Sequence, residues 1–283
     1  MFQRIGIIGG GLMGSGIAEV CARAGLDVVV LEISEEAATA AGVRIAGSLE
    51  RAVERGKIDS TTRAETLGRL RTSTDWGLLS DRRLIIEAVV ENAALKRELF
   101  TKVDALVEAD DAILASNTSS IPIADLATAT QRPEVVVGLH FFNPVPVMAL
   151  VEVVPSILTA EDTVDRVGRF ARESLGKTVV HATDRAGFIV NALLIPYLID
   201  AIRMVEAGHA TRDDVDHGMK LGAAHPMGPL ELCDLIGNDT VLAVAESLHD
   251  EFGEARLTPP ALLRRMVGGG LLGRKSGRGF YDY

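Results

Sequence analysis

The segment Ile5-Gly6-Ile7-Ile8-Gly9-Gly10-Gly11-Leu12-Met13-Gly14 decides the fold of this chain. Its first half is a short apolar strand, and its second half sets three glycines in the pattern G-x-G-x-x-G at the start of a helix. Such a turn lets a pyrophosphate approach the backbone, and the helix N-terminus offers it free N–H groups. The segment predicts a dinucleotide site of the Rossmann type, with contacts from Gly9, Gly11, Leu12, Met13 and Gly14.

An acidic residue ends the second predicted strand. Glu32 directly follows the apolar run Asp27–Leu31 and stands 18 residues after Gly14. A carboxylate at this place can bind both hydroxyls of an adenosine ribose and would repel a 2′-phosphate, so the pattern favours NAD over NADP. A flavin site and a purely structural glycine turn are the alternatives at this point.

The order of the strand and helix signals predicts the architecture. As far as residue 183, short apolar runs without period-two alternation are separated by helical segments, which is typical of a mostly parallel sheet covered on both faces. From residue 184 onward only helical periodicity remains, and segment 188–205 is apolar on nearly every face although it contains Pro196. We therefore expect an α/β Rossmann-type, doubly wound domain in residues 1–183 and an all-α domain in residues 184–283.

Composition and charge argue against several classes of function. A net charge of −10 over 283 residues argues against a nucleic-acid surface, and no apolar run is long enough to suggest a membrane span. Cys21 and Cys233 are too few for a disulfide framework, and no cluster of Cys and His has metal-ligand spacing. The N-terminus lacks the pattern of a secretory signal. We expect a cytoplasmic protein that binds no metal.

One histidine and one glutamate predict an acid–base pair. His140 follows the apolar run Val135–Leu139, so it lies at the carboxyl end of a predicted strand, just before the turn at Asn143-Pro144. Glu152 interrupts the apolar segment 148–154, where a carboxylate is costly unless it is paired. A carboxylate bonded to one imidazole nitrogen orients the ring and makes it more basic. The alternative is an edge strand on which Glu152 faces water.

Further polar side chains follow the predicted strands. The run Asn117-Thr118-Ser119-Ser120 comes after a strand and suits hydrogen bonding to a substrate oxygen, although such residues also form ordinary capped turns. Glu91 and Lys96 follow the strand near residue 85, and they either contact a ligand or form a solvated helix start. Asn191 interrupts the apolar helix of the second domain, where its amide needs partners.

Together these residues predict a hydride-transfer reaction. We expect His140 to remove the proton of a substrate hydroxyl while a hydride leaves the same carbon for the nicotinamide. Ser119 and Asn191 would hold the reacting oxygen. The cofactor carries the hydride chemistry, and the protein supplies placement and the base.

The motifs jointly resemble the L-3-hydroxyacyl-CoA dehydrogenase family over essentially the whole chain, and in particular its compact bacterial members that act on short substrates such as 3-hydroxybutyryl-CoA. The resemblance is specific because separate motifs in both halves agree. They are the glycine turn at 9–14, Val90-Glu91-Asn92 with Lys96, Ser116-Asn117-Thr118-Ser119-Ser120, His140-Phe141-Phe142-Asn143-Pro144, Gly187-Phe188-Ile189-Val190-Asn191, His225-Pro226-Met227-Gly228-Pro229-Leu230 and Lys275-Ser276-Gly277-Arg278-Gly279-Phe280-Tyr281.

This resemblance implies roles for the candidate residues. His140 and Glu152 match the catalytic pair of the family, while Ser119 and Asn191 match its substrate-binding positions. An NAD cofactor and a homodimer formed through the helical second domain are also implied. Beside the glycine turn, the implied cofactor contacts are Glu32, Glu91, Lys96, Asn117, Ser119, His140 and Asn143.

The polyanionic CoA moiety would need a local basic cluster. Arg44, Arg51 and Arg55 share one face of a predicted helix by spacing, in the region where relatives bind CoA. Arginines stand here where relatives often have lysines, and Glu50 and Glu54 intrude, so a solvated face is the alternative. The expected contacts to an acyl-CoA substrate are Ser48, Arg51 and Arg55, joined at the reacting end by Ser119, His140 and Asn191.

Two other functions compete with this interpretation. A related dehydrogenase of a free hydroxy acid or sugar acid would not need the basic helix, so Arg51 and Arg55 weigh against it. A non-enzymatic NAD-binding protein would tolerate loss of the catalytic residues, yet His140 and Glu152 are both present.

Overall fold

The computed structural model describes residues 2–283 and divides the chain into two units. The first unit ends at Asp184, and the second comprises Arg185–Tyr283. This division lies one residue from the boundary expected between residues 183 and 184.

Eight strands of the first unit form one sheet: β1 (Arg4–Ile8), β2 (Asp27–Leu31), β3 (Leu70–Ser73), β4 (Leu84–Glu87), β5 (Ile113–Ser116), β6 (Val136–Phe141), β7 (Leu150–Val154) and β8 (Thr178–His181). Their spatial order is β3-β2-β1-β4-β5-β6-β7-β8, and every neighbouring pair is parallel except β6 and β7. Strands β4, β5 and β6 are buried along their whole length, as their uninterrupted apolar runs predict. The predicted fold class, a mostly parallel sheet followed by a helical domain, is confirmed.

Strand β3 was not predicted from the sequence. In the sheet order it is an end strand, paired with β2, and its residues are only partly buried. Its residues Arg71, Thr72 and Ser73 are polar, so the segment resembles the end of the preceding helix more than a strand. The preceding helix ends at Gly68, two residues before the strand begins.

Six helices accompany this sheet: α1 (Leu12–Arg23), α2 (Glu35–Glu54), α3 (Ser60–Gly68), α4 (Ala93–Leu106), α5 (Ile123–Ala127) and α6 (Glu161–Arg169), the last continued by a π-turn at Phe170–Ser174. Two of them begin at side-chain caps. The hydroxyl of Ser34 accepts a hydrogen bond from the amide of Ala37 at 3.2 Å, and the side chain of Asn92 accepts one from the amide of Leu95 at 2.9 Å. The five-residue α5 was missed because it is too short for a periodic signal.

Several candidate residues of the first unit lie at the carboxyl ends of the parallel strands. The carboxyl ends of parallel strands share an edge, and ligands of such sheets bind there. The glycine turn follows β1 at this edge, Glu32 follows β2, and Glu87 and Ser116 end β4 and β5. The topology therefore brings together residues that lie far apart in the chain.

The second unit is built from five helices: α7 (Val190–Glu206), α8 (Arg212–His217, continued by a π-turn at Gly218–Gly222), α9 (Pro229–Ile236), α10 (Asn238–Phe252) and α11 (Ala261–Gly268). Pro196 lies inside α7, as expected. That helix begins two residues later than predicted, because Phe188 has a left-handed backbone conformation with φ of 49°. Two buried carboxylates fasten the last residues to these helices, since Asp234 accepts hydrogen bonds from the amides of Phe280 and Tyr281 and Asp216 accepts one from the hydroxyl of Tyr281.

No helix between residues 2 and 283 combines the length and the apolar character that crossing a membrane would require.

Candidate active site

The glycine turn has the geometry that a dinucleotide requires. Gly9 has φ of +91°, which favours glycine, and its amide donates to the carbonyl of Leu31 at 2.9 Å. A Cβ atom on Gly14 would lie 1.8 Å from the carbonyl oxygen of Gly9, so only glycine lets α1 pack this close to the turn. A Cβ atom on Gly11 would meet nothing within 4 Å, which leaves open space where a pyrophosphate would approach the backbone. These residues fit NAD.

Glu32 lies against the glycine turn. One oxygen of its carboxylate accepts a hydrogen bond from the amide of Gly10 at 2.5 Å, and the other accepts one from the amide of Ile33 at 3.2 Å. Arg44 reaches the same turn from α2, because its guanidinium donates to the carbonyl of Gly10 at 2.5 Å. Arg44 is thus held at the dinucleotide turn, and the predicted basic face of α2 is reduced to Arg51 and Arg55.

His140 and Glu152 face each other directly across the antiparallel pair β6 and β7. Nδ1 of the imidazole lies 2.7 Å from a carboxylate oxygen of Glu152. The side chain of Glu152 is 0% exposed and His140 is 6% exposed, so the alternative of a water-facing glutamate on an edge strand is wrong. Phe142 packs edge-on against the imidazole with ring centroids 4.6 Å apart. The carboxylate and the phenyl ring hold the imidazole in one orientation.

A second buried carboxylate, Glu87, ends β4 and binds an ammonium group. Glu87 and Lys96 are each 1% exposed, and Nζ of Lys96 lies 2.9 and 3.0 Å from the two carboxylate oxygens. The hydroxyl of Ser116 donates to the same carboxylate at 2.6 Å, and the amide of Val89 donates to it at 2.7 Å. A solvated helix start is therefore the wrong interpretation of Lys96.

Glu91 connects this cluster to the polar loop after β5. Its carboxylate lies 2.9 Å from Nζ of Lys96 and accepts hydrogen bonds from the hydroxyl of Thr118 and from the amide of Ser119, the latter at 3.0 Å. Partial burial tends to raise the pKa of Glu91, but Lys96 and these hydrogen bonds outweigh it and lower the pKa below its ordinary value. The loop is thereby held against α4 by charge-assisted hydrogen bonds.

The loop after β5 is also tied to the catalytic strand. The side-chain oxygen of Asn117 accepts a hydrogen bond from the backbone amide of Phe141 at 2.9 Å. The backbone amide of Asn117 donates to the backbone carbonyl of Glu87 at 2.8 Å. The hydroxyl of Thr118 caps the following turn by accepting hydrogen bonds from the amides of Ser120 and Ile121. The capped turn that the sequence left open is therefore present, and Ser119 lies within it, partly exposed.

Two family models match the chain along nearly its whole length. The NAD binding domain of 3-hydroxyacyl-CoA dehydrogenase matches residues 4–185, and the C-terminal domain of 3-hydroxyacyl-CoA dehydrogenase matches residues 187–283. The chain belongs to the 3-hydroxyacyl-CoA dehydrogenase family. The predicted family, the NAD cofactor and the dehydrogenase activity are thereby confirmed.

Individual relatives of this dehydrogenase agree along its full length. A 3-hydroxybutyryl-CoA dehydrogenase of Mycobacterium tuberculosis is 56% identical over 281 residues, which cover 99% of this chain and 98% of the relative. The crystal structure of FadB2 from M. tuberculosis has a TM-score of 0.99 at 56% identity and covers 100% and 99% of the two chains. That of (S)-3-hydroxybutyryl-CoA dehydrogenase from Ralstonia eutropha has a TM-score of 0.93 at 42% identity, with coverage of 100% and 99%.

The α2 face of the dehydrogenase is only partly available to a ligand. Arg51 and Arg55 are exposed, whereas Ser48 is partly buried beside Glu19 of α1. Burial raises the pKa of Glu19, which Ser48, Arg23 and Arg51 partly offset. The negative charge of Glu19 therefore lies beside the residues expected to meet CoA.

The two other predicted site residues are Asn143 and Asn191. Asn143 is exposed in the turn after β6, and Asn191 is the second residue of α7, partly exposed, in the second unit. Between residues 2 and 283, no group of three or more His, Cys, Asp or Glu side chains could hold a metal ion. Both cysteines are buried free thiols.

Sequence reasoning missed Glu87 and its partner Ser116. The sequence does carry a signal for Glu87, because Leu84-Ile85-Ile86-Glu87 is an apolar run with one carboxylate. The strand that contains Glu152 has the same composition. A glutamate at the very end of an apolar run is easily taken for the first residue of a loop. Only the structure shows that the residue still lies inside the sheet and is buried.

Proposed function

We propose that this dehydrogenase oxidises the 3-hydroxyl group of a short (S)-3-hydroxyacyl-CoA, such as 3-hydroxybutyryl-CoA, and that His140 is its general base. The observation that carries the proposal is the 2.7 Å contact between Nδ1 of His140 and the buried carboxylate of Glu152. Relatives at 56% and 42% identity bear the name of a 3-hydroxybutyryl-CoA dehydrogenase.

The protein's part in the reaction is a proton transfer. Glu152 holds Nδ1, so proton exchange with the substrate hydroxyl falls to the other ring nitrogen, Nε2 of His140. As the imidazole becomes an imidazolium, the adjacent carboxylate stabilises its charge, and the buried position strengthens this interaction. When bound, NAD supplies the acceptor for the hydride, which leaves the substrate carbon that carries this hydroxyl.

We assign the surrounding residues to binding. The hydroxyl of Ser119 would hydrogen-bond the reacting oxygen, and Asn191 of the second unit is proposed for the same role. Glu32 at the glycine turn would bind the adenosine ribose. For the rest of the cofactor we propose contacts from Glu91, Lys96, Asn117 and Asn143, and for CoA contacts from Ser48, Arg51 and Arg55.

We also propose that the second unit mediates a homodimer. Helix α7 is rich in apolar side chains, and Leu193 and Met204 remain 73% and 46% exposed on it. Size-exclusion chromatography with light scattering would test this, and a monomer at micromolar concentration would contradict it.

The two buried thiols are compatible with a cytoplasmic enzyme, since free thiols persist in a reducing compartment.

Initial rates of NADH oxidation test the substrate assignment. We expect rapid turnover of acetoacetyl-CoA with NADH, a much slower reaction with NADPH, and little reaction with free acetoacetate. The same measurement with longer 3-ketoacyl-CoA thioesters should show falling rates. Higher kcat/KM on free acetoacetate than on its CoA ester would favour a dehydrogenase of free acids instead. No turnover of any acyl-CoA would remove the enzymatic proposal.

A further inference from the structure

The turn between β6 and β7 decides whether His140 and Glu152 meet. It comprises residues 142–149 and joins the strand that carries the base to the strand that carries its carboxylate. In the observed register His140 lies opposite Glu152, flanked by the pairs Leu139–Val153 and Phe141–Val151. A slip by one residue would turn Glu152 to the other face of the sheet and set a valine opposite the imidazole.

The hydrogen bonds within this turn do not close it by themselves. The carbonyl of Pro144 accepts hydrogen bonds from the amides of Val147 and Met148, at 2.9 and 3.0 Å. Pro144 and Pro146 have no amide hydrogen to donate. The carbonyls of Val145 and Met148 therefore need donors from elsewhere in the fold.

Lys177 supplies those donors from the segment just before β8. Its ammonium group donates to the carbonyl of Val145 at 2.7 Å and to that of Met148 at 2.6 Å. The residue is only 9% exposed, and burial lowers the pKa of its ammonium group. Placing a cation there is costly, so a fixed pair of carbonyl acceptors is needed to hold it.

The same turn is packed against the helix that opens with the dinucleotide turn. Val145 is buried, and a Cβ atom on Gly16 of α1 would lie 2.9 Å from Cβ of Val145. Val145 thus packs so closely on Gly16 that not even a methyl group would fit between them, which limits movement of the turn toward α1. The turn is held by this packing and by the two hydrogen bonds from Lys177.

We propose that Lys177 is a positioning residue for catalysis, which keeps the turn at 142–149 and hence the alignment of His140 with Glu152. This inference rests on the proposed function, because it assumes that those two residues are the catalytic pair. Lys177 does not touch the reacting atoms. Its effect on turnover should pass entirely through the carboxylate–imidazole contact.

The first test compares kcat of Lys177→Met with that of a matched control at 25 °C. Thr163→Val is the control, because the buried hydroxyl of Thr163 likewise donates to a backbone carbonyl, that of Glu134, at 2.9 Å and away from the turn. We expect Lys177→Met to lower kcat more than tenfold with KM for NADH within twofold, and Thr163→Val to keep the wild-type kcat. A loss in Lys177→Met less than threefold greater than in the control would overturn the proposal. If Lys177→Met does not fold, Lys177→Ala, which also removes the donors, is measured against the same threshold, whereas Lys177→Gln, which keeps amide donors, should lose less of kcat than either.

A double-mutant cycle separates positioning from a general loss of structure. If Lys177 acts through Glu152, adding Lys177→Met to Glu152→Gln should lower kcat less than threefold further, whereas an independent structural role would make the two losses multiply. Multiplying losses overturn the inference. If Glu152→Gln alone leaves kcat unchanged, the assignment of the catalytic pair fails instead, so the two failures are distinguishable.

Discussion

Two carboxylates are buried in apolar strands of the same sheet, and their partners differ. Glu152 lies opposite an imidazole, with Nδ1 of His140 2.7 Å away. Glu87 lies against an ammonium group and also accepts hydrogen bonds from a hydroxyl and a backbone amide. Both residues are almost completely buried, so burial alone does not distinguish their functions.

The difference teaches that the partner decides what a buried acid can do. An imidazole can take up and release a proton near neutral pH, so a carboxylate beside it supports proton transfer. A lysine ammonium group that lies between two carboxylates holds them in place through charge-assisted hydrogen bonds. We therefore assign Glu152 to chemistry and Glu87 to the architecture of the edge where the cofactor binds.

The largest expected effect is on turnover after a change at Glu152. Glu152→Gln should lower kcat by about 10² to 10⁴-fold, because the imidazole loses the charge that orients it and stabilises its protonated form. The Kd for NADH, measured by fluorescence titration, should stay within twofold. The kcat of His140→Ala should be lowered by a similar factor. A wild-type kcat in either variant would contradict the assignment of that residue to proton transfer.

The matching change at Glu87 should act on stability first. Glu87→Gln leaves Lys96 buried with one carboxylate fewer, so we expect a loss of about 3 kcal/mol in the free energy of unfolding, the lower end for a broken buried pair because Glu91 remains. Urea titration measures this loss, and kcat well below the melting temperature should fall less than tenfold. A fall in kcat as large as that of Glu152→Gln, without loss of stability, would show that Glu87 takes part in the chemistry.

A double variant sharpens the contrast. Glu87→Gln combined with Lys96→Met removes both charges of the buried pair, so its loss of stability should be smaller than the sum of the two single losses. Additive losses in urea titrations would mean that the 2.9 Å contact between the two residues contributes little.

A third carboxylate, Glu32, lies at the same edge but is partly exposed and accepts hydrogen bonds from the backbone amides of Gly10 and Ile33. Glu32→Ala should raise KM for NADH by about tenfold, the magnitude of one lost charge-assisted hydrogen bond, and should lower KM for NADPH because the repulsion of a 2′-phosphate disappears. The stability should change little. An unchanged ratio of the two KM values would exclude Glu32 from cofactor recognition.

The smallest expected effect concerns Glu91 and pH. Its pKa is lowered in the folded state, so the stability that its charge contributes is present above its ordinary pKa of about 4.3 and is lost as the pH falls through the lowered value. Compared with wild type, Glu91→Gln should have a lower melting temperature at pH 6, and the difference should shrink as the pH falls below the ordinary pKa of the carboxyl group. Equal melting temperatures at pH 6 would mean that the contacts to Lys96 and Thr118 do not stabilise the fold.

Much of the fold follows from local patterns. The glycine turn and the strand Asp27–Leu31 were predicted, because each depends on residues adjacent in the chain. Strand β3 was not predicted because it lies at the lateral edge of the sheet and has no apolar run in its sequence. Arg44 was assigned to a basic face of α2 by helical spacing, which gives the direction of a side chain but not the carbonyl that it meets.

By itself, the sequence predicted that an acid is buried at Glu152, that a dinucleotide turn follows the first strand, and that a helical half begins near residue 184. These conclusions follow from local chemistry, since apolar runs must be buried and a carboxylate among them needs a partner. The tertiary structure alone decided that Lys96 and Ser116 are partners of Glu87, that Lys177 reaches the turn at 142–149, and that Glu87 lies inside the sheet. Such contacts join residues from different strands and helices, and no local pattern encodes the register and packing that bring them together.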